Sequence, residues 1–175
     1  MLLSASCGWM GEAVSPVAAA ARAGDTGEIQ RLARAGGDVN APSGVNHWTP
    51  LMHAIHKNQP ASVEALLDAG AIVNAVSGNT TALIMAAGYG QTDTVRILLK
   101  RGADPRLSPR PGVTALAAAV GGTRDADDYT AGKCQTDTVK ALLERDPALL
   151  IPGDSDAVQT AQKGGCIEVV AMVTK

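Results

Sequence analysis

The sequence predicts an all-α repeat solenoid, a row of about five short helix–turn–helix pairs. Three observations carry this. Thr49-Pro50-Leu51-Met52-His53-Ala54 returns 32 residues later as Thr81-Ala82-Leu83-Ile84-Met85-Ala86, and Thr114 opens a third copy after a further 33. Each opening leads into an apolar helical pattern, Val63-Glu64-Ala65-Leu66-Leu67 and Val95-Arg96-Ile97-Leu98-Leu99, closed by Gly70-Ala71 and Gly102-Ala103. The composition is 46% hydrophobic but only 2% aromatic, with no phenylalanine. Thin stacked layers of Ala, Val and Leu fit that composition better than one thick core.

Each residue type in the repeat has a local reason. Thr49, Thr81 and Thr114 can cap a helix by accepting a hydrogen bond from a free backbone N–H. Pro50 suits the first helical position, where its missing N–H costs nothing. Leu51, Ala54 and Ile55 then share one face, as do Leu83, Ala86 and Ala87, and Leu116, Ala119 and Val120. Helices this short are marginal alone and must stack on their neighbours.

The period near 33 residues and the Thr-Pro-Leu opening resemble the ankyrin-repeat family over about Ser15 to Thr174. The resemblance implies helix pairs with projecting β-turn or hairpin fingers and a rigid concave face that binds a protein and performs no chemistry. Met52 and Ile84 depart from the family by replacing its usual motif histidine, which puts one family hydrogen bond in question.

In chain order, residues 1–14 carry no repeat pattern and are expected to form a disordered leader. A single domain follows over 15–175, with repeats near 15–41, 48–75, 80–107, 113–150 and 155–175. The first opens at Ser15-Pro16-Val17, and Arg31 on its second helix suits a terminal unit with no neighbour on one side. Pro42, Gly44 and Asn46 supply turn chemistry for the first finger. Gly24, Asn58 and Gly90 share the position between the two helices, so each is expected to adopt the left-handed conformation that ends a helix. The exit from the third repeat, Arg101 to Gly112, holds three prolines and three arginines and reads as a stiff, basic finger. In the fourth repeat an insertion within 121–133 separates the helices, and its Gly and Asp content favours a loop. Tyr129 is its only large apolar residue, so the loop is expected to be mobile and dispensable. The fifth repeat, opening at Asp156-Ala157-Val158, reads as a C-terminal cap.

The formal charge of −2 excludes an obvious nucleic-acid partner, and no apolar run approaches the roughly 20 residues that span a bilayer. Cys7, Cys134 and Cys166 are odd in number and widely spaced, giving neither metal-ligand spacing nor a disulfide framework. The plain reading is a reducing compartment and a cytoplasmic protein. The alternative is a bacterial periplasmic protein or lipoprotein, because Leu2-Leu3-Ser4-Ala5-Ser6-Cys7 resembles the end of a truncated lipoprotein signal.

His53 and His56 lie three apart on a helix, as metal ligands can, but no third ligand is evident. The blander reading packs His53 between helices and points His56 to solvent. Asp125-Ala126-Asp127-Asp128 lacks the alternating ligands of a calcium loop, and neither Cys134 nor Cys166 has a base brought close by the register. No catalytic residue, metal or cofactor is therefore expected. Trp48 and Tyr89 map to a finger and to a helix end, positions that contact partners in the family this resembles, and exposed aromatics often anchor interfaces. Against this, Trp48 can instead pack across the neighbouring finger. His47, Asn46, His56 and Lys57 are candidates for the same surface, and Arg106 and Arg110 would favour an acidic partner. The functional expectation is a monomeric, non-catalytic protein-binding module. An inhibitor or immunity-type protein that blocks an enzyme is the alternative, with an enzyme as the more distant one.

Overall fold

The computed structural model describes residues 14–123, 130–153 and 155–174. Among the described residues ten helices form five pairs: α1 Pro16–Ala23 with α2 Thr26–Arg34, α3 Pro50–His56 with α4 Pro60–Asp68, α5 Ala82–Gly88 with α6 Thr92–Lys100, α7 Ala115–Gly121 with α8 Thr136–Arg145, and α9 Asp156–Lys163 with α10 Ile167–Val173. The first helices of successive pairs stack in one row and the second helices in another. Between α4 and α5 the chain forms an antiparallel hairpin, β1 Val76–Ser77 and β2 Thr80–Thr81.

Every first helix starts with the same device. Ser15, Thr49, Thr81, Thr114 and Ser155 accept hydrogen bonds from the N–H groups of Ala18, Met52, Ile84, Ala117 and Val158, at 3.1–3.4 Å. Each thereby satisfies a donor that the helix itself leaves unpaired. Between the helices Gly24, Asn58 and Gly90 adopt φ values of 77°, 50° and 69°, the left-handed region that glycine and asparagine tolerate best. The turn closes with one recurring backbone bond, from Asp25, Gln59, Gln91 and Cys166 back to Ala20, Ala54, Ala86 and Ala161.

Side-chain rungs tie each repeat to the next. Asn40 Oδ1 accepts from Ile72 N at 2.7 Å while its amide donates to the Gly70 carbonyl. Asn74 does the same one repeat later, with Asp104 N at 2.9 Å and Gly102 O at 3.1 Å. On the inter-helix turns Gln91 donates to Ile55 O and Gln135 to Gly88 O. Between these rungs lies the apolar interior: Leu51, Leu66, Leu83, Leu98, Leu116 and Leu142 are all at most 2% exposed. Alanines 54, 86 and 119 are fully buried and let the stacked helices approach closely.

One expectation is corrected here. Cys134 and Cys166 form a disulfide with a Cα–Cα distance of 5.2 Å. They flank the starts of α8 and α10, so stacking places equivalent turns of adjacent repeats side by side, a proximity that sequence spacing alone conceals. The described ends of the insertion are anchored. Thr130 is 6% exposed; its hydroxyl accepts from Thr123 N at 2.8 Å and donates to Gly88 O, in the preceding repeat, at 2.5 Å. Thr130 N and Ala131 N both donate to Thr123 O, pinching the loop at its base. Tyr129 and the Asp125–Asp128 run lie outside the described residues, as do residues 1–13 of the leader, Cys7 included.

Candidate functional site

The first finger is a tight hairpin. Ser43 and Trp48 exchange backbone hydrogen bonds at 2.9 and 3.2 Å, and Gly44 and His47, at φ 73° and 51°, turn the chain between them. Val45 at the tip is 76% exposed, and Asn46 and His47 beside it are exposed as well. The second finger braces the first: Ser77 Oγ donates to His47 O. Gly78 leaves room for the Trp48 indole, since a Cβ there would stand 3.2 Å from Cδ1 and 3.3 Å from Nε1.

Behind this finger the rings form a chain. The Trp48 centroid lies 5.0 Å from His56 and 5.8 Å from His53, with tilted and edge-on planes. His56 lies 6.0 Å from Tyr89, and its Nδ1 is 3.1 Å from the Tyr89 hydroxyl. Inclined rings at these separations are the attractive arrangement for aromatic pairs. His53 is buried, with Nε2 3.1 Å from Ser43 O. That bond pins the finger to α3 and supplies a link where the motif histidine is replaced by the fully buried Met52. Burial pushes the His53 pKa down, only partly offset by the Ser43 carbonyl, and the charges of Arg22 and His56 push it further the same way.

Several sequence-derived assignments change. Tyr89 is not a ring left in water. It is 9% exposed, caps the end of α5 and holds His56. Trp48 is half-buried and packs across the neighbouring finger at Gly78. His56 is half-buried and bonded rather than pointing to solvent. Lys57 is half-buried at the end of α3. Arg106 is committed elsewhere: Nε and Nη2 bond both carboxylate oxygens of Asp146 at 2.5 and 2.8 Å. Arg101 likewise pairs with Asp68 at 2.7 Å, so of the three arginines on that basic finger only Arg110 keeps an exposed side chain with no ion pair among the described residues.

Sequence reasoning missed Arg22. Its signal was register: Arg22 in α1 and His56 in α3 are each six residues after the proline that opens their helix. Stacking therefore sets them side by side. With His53, Trp48, Asn46 and Val45 they line a cleft of about 270 Å³.

A family model of ankyrin repeats matches three copies over residues 17–109, a little over half of the chain. The chain belongs to the ankyrin-repeat family. It is also similar to Zygote-specific protein 3 of Chlamydomonas reinhardtii, 34% identical over 87 residues. That match covers 50% of this chain and 23% of the relative, so it spans about a quarter of that protein. In ankyrin terms the ring chain lies where the first finger meets the ends of the first helices. Protein–protein interaction is the general role of such repeats, and the family is typically non-catalytic. Among the described residues no group of three or more His, Cys, Asp or Glu could hold a metal, and no helix is long and apolar enough to cross a membrane.

Proposed function

We propose that this ankyrin array binds a protein partner through its first finger and the adjoining ends of α1 and α3. The observation that carries the reading is the exposed Val45-Asn46-His47 tip, held rigid by the Ser43–Trp48 bridge and the ring chain behind it. A preformed loop loses little conformational entropy on binding, so its contacts convert efficiently into affinity. In this reading Asn46, His47, His56 and Lys57 contact the partner directly. Trp48 presents one edge and supports the finger with the other, and Tyr89 acts by holding His56. Arg110, exposed on the third finger, is a further candidate for acidic groups of the partner, whereas Arg106 serves the scaffold.

The narrow tip with Val45 at its end also suits insertion into a cleft, which favours the inhibitor form of the reading, in which the partner is an enzyme blocked by a monomeric array. The disulfide supports an oxidising compartment for the protein, because such bonds persist where thiols are not kept reduced. A photo-crosslinker at position 46 tests the surface against one at Glu64, exposed on α4. In extract of the source cell, a partner adduct from position 46 and none from position 64 is expected. Adducts from position 64 alone would contradict the proposal.

A further inference from the structure

The cleft beside the first finger has a one-sided chemistry. It is lined by the exposed Arg22, the buried His53 and half-buried His56, and by Trp48, Asn46, Val45, Gly44 and Val14. Among the described residues no carboxylate lines it. Arg22 is exposed and makes no hydrogen bond or ion pair with any described residue, unlike Arg31, Arg96, Arg101 and Arg106, each of which has an acidic partner. Tyr89 and Ser43 already fix the orientations of the two imidazoles, so the cleft is preformed.

Resting on the binding surface proposed above, we infer that this cleft receives the side-chain carboxylate of a Glu or Asp in an extended acidic segment of the partner protein. The guanidinium offers a planar pair of donors that matches a carboxylate, and the Asn46 amide adds a neutral donor. The Trp48 ring and Val45 give the methylene stem of the acidic residue an apolar wall. A single finger and one cleft read one acidic residue; the exposed tip supplies the remaining contacts. The charge complementarity that sequence reasoning assigned to Arg106 and Arg110 is thus carried at this cleft by Arg22.

The test uses the full chain with Trp9→Phe, which leaves Trp48 as its only indole. A capped Gly-Ser peptide carrying four glutamates is titrated while the Trp48 side-chain N–H is followed by NMR, beside the same peptide with glutamines. A saturable shift is expected with the glutamate peptide, about tenfold weaker with glutamine and about tenfold weaker in Arg22→Gln. Equal responses to both peptides, no response to either, or unchanged binding in Arg22→Gln would overturn the inference. Thermal melting of Arg22→Gln should match the parent, because the side chain is exposed. Val45→Asp then separates the two readings with the cellular partner. Partner binding lost in Val45→Asp but retained in Arg22→Gln overturns the acidic cleft and leaves the binding surface standing. Retention in both overturns the surface itself.

Discussion

The Arg106 guanidinium clasps both oxygens of Asp146, 40 residues away, at 2.5 and 2.8 Å. Arg106 stands where Asn40 and Asn74 stand in the earlier repeats, and Asp146 lies at the helix end where those asparagines meet a glycine carbonyl. The pair is therefore a charged version of the same rung, and it bridges to a repeat whose second helix ends without the glycine turn. Arg106→Asn alone should lower the melting temperature, because asparagine is too short to reach Asp146. Adding Asp146→Gly should recover part of the loss by restoring an Asn–Gly rung. Melts of the two variants check this, and neither should alter partner binding.

Stability should depend on pH through His53. Its folded pKa is depressed, chiefly by burial, so below its ordinary value near 6.5 the unfolded chain takes up a proton that the folded chain does not. The contribution of the neutral ring is complete above that value and is lost as pH falls from it toward the folded pKa. Denaturant midpoints at pH 7.5 and pH 5.5 should differ, and His53→Gln should reduce the difference. An unchanged slope in that variant would assign the effect to the carboxylates.

The disulfide should fasten the C-terminal repeat. It closes a 32-residue separation, for which chain-entropy arguments give about 3–4 kcal/mol, often less in practice. Cys134→Ser with Cys166→Ser, or treatment with a dithiol reductant, should speed amide exchange in α9 and α10 while leaving α3 to α6 protected. Uniform loss of protection would mean that the array unfolds as one unit.

Core truncations should rank by position in the stack. Leu98 is fully buried between the third repeat and its neighbours, whereas Met172 is partly buried on the last helix. Leu98→Ala should cost about 2–5 kcal/mol and Met172→Ala clearly less. Urea melts decide, and equal losses would remove the distinction between centre and cap.

Thr130 should matter more than the loop it closes. Thr130→Val keeps the shape but removes the acceptor of the Thr123 N–H and one of two side-chain donors on the Gly88 carbonyl, which keeps Gln135, at about 1–3 kcal/mol. Deleting 124–129 should cost less than deleting 122–132, which takes Thr130 with it. Chemical denaturation of the three variants gives the order.

The scaffold was largely legible in the sequence because its signals are local. A threonine caps the helix it opens, Asn58 adopts the left-handed turn of Gly24 and Gly90, and Leu66, Leu98 and Leu142 fall on the buried face of a single helix. The site was less legible because it is assembled across repeats. Tyr89 is covered because His56 of the preceding repeat reaches its hydroxyl, and Arg22 matters because stacking sets it beside His56. The Cys134–Cys166 bond follows the same rule. The residues stand one repeat apart, a spacing that looks distant along the chain and is adjacent in the stack.

The most direct test of the binding surface is hydrogen exchange on the complex with the captured partner. Slowed exchange is expected at residues 43–48 and 53–57, with little change along α4 and α6. Protection confined to α4 and α6, with the first finger exchanging as in the free protein, would contradict the account.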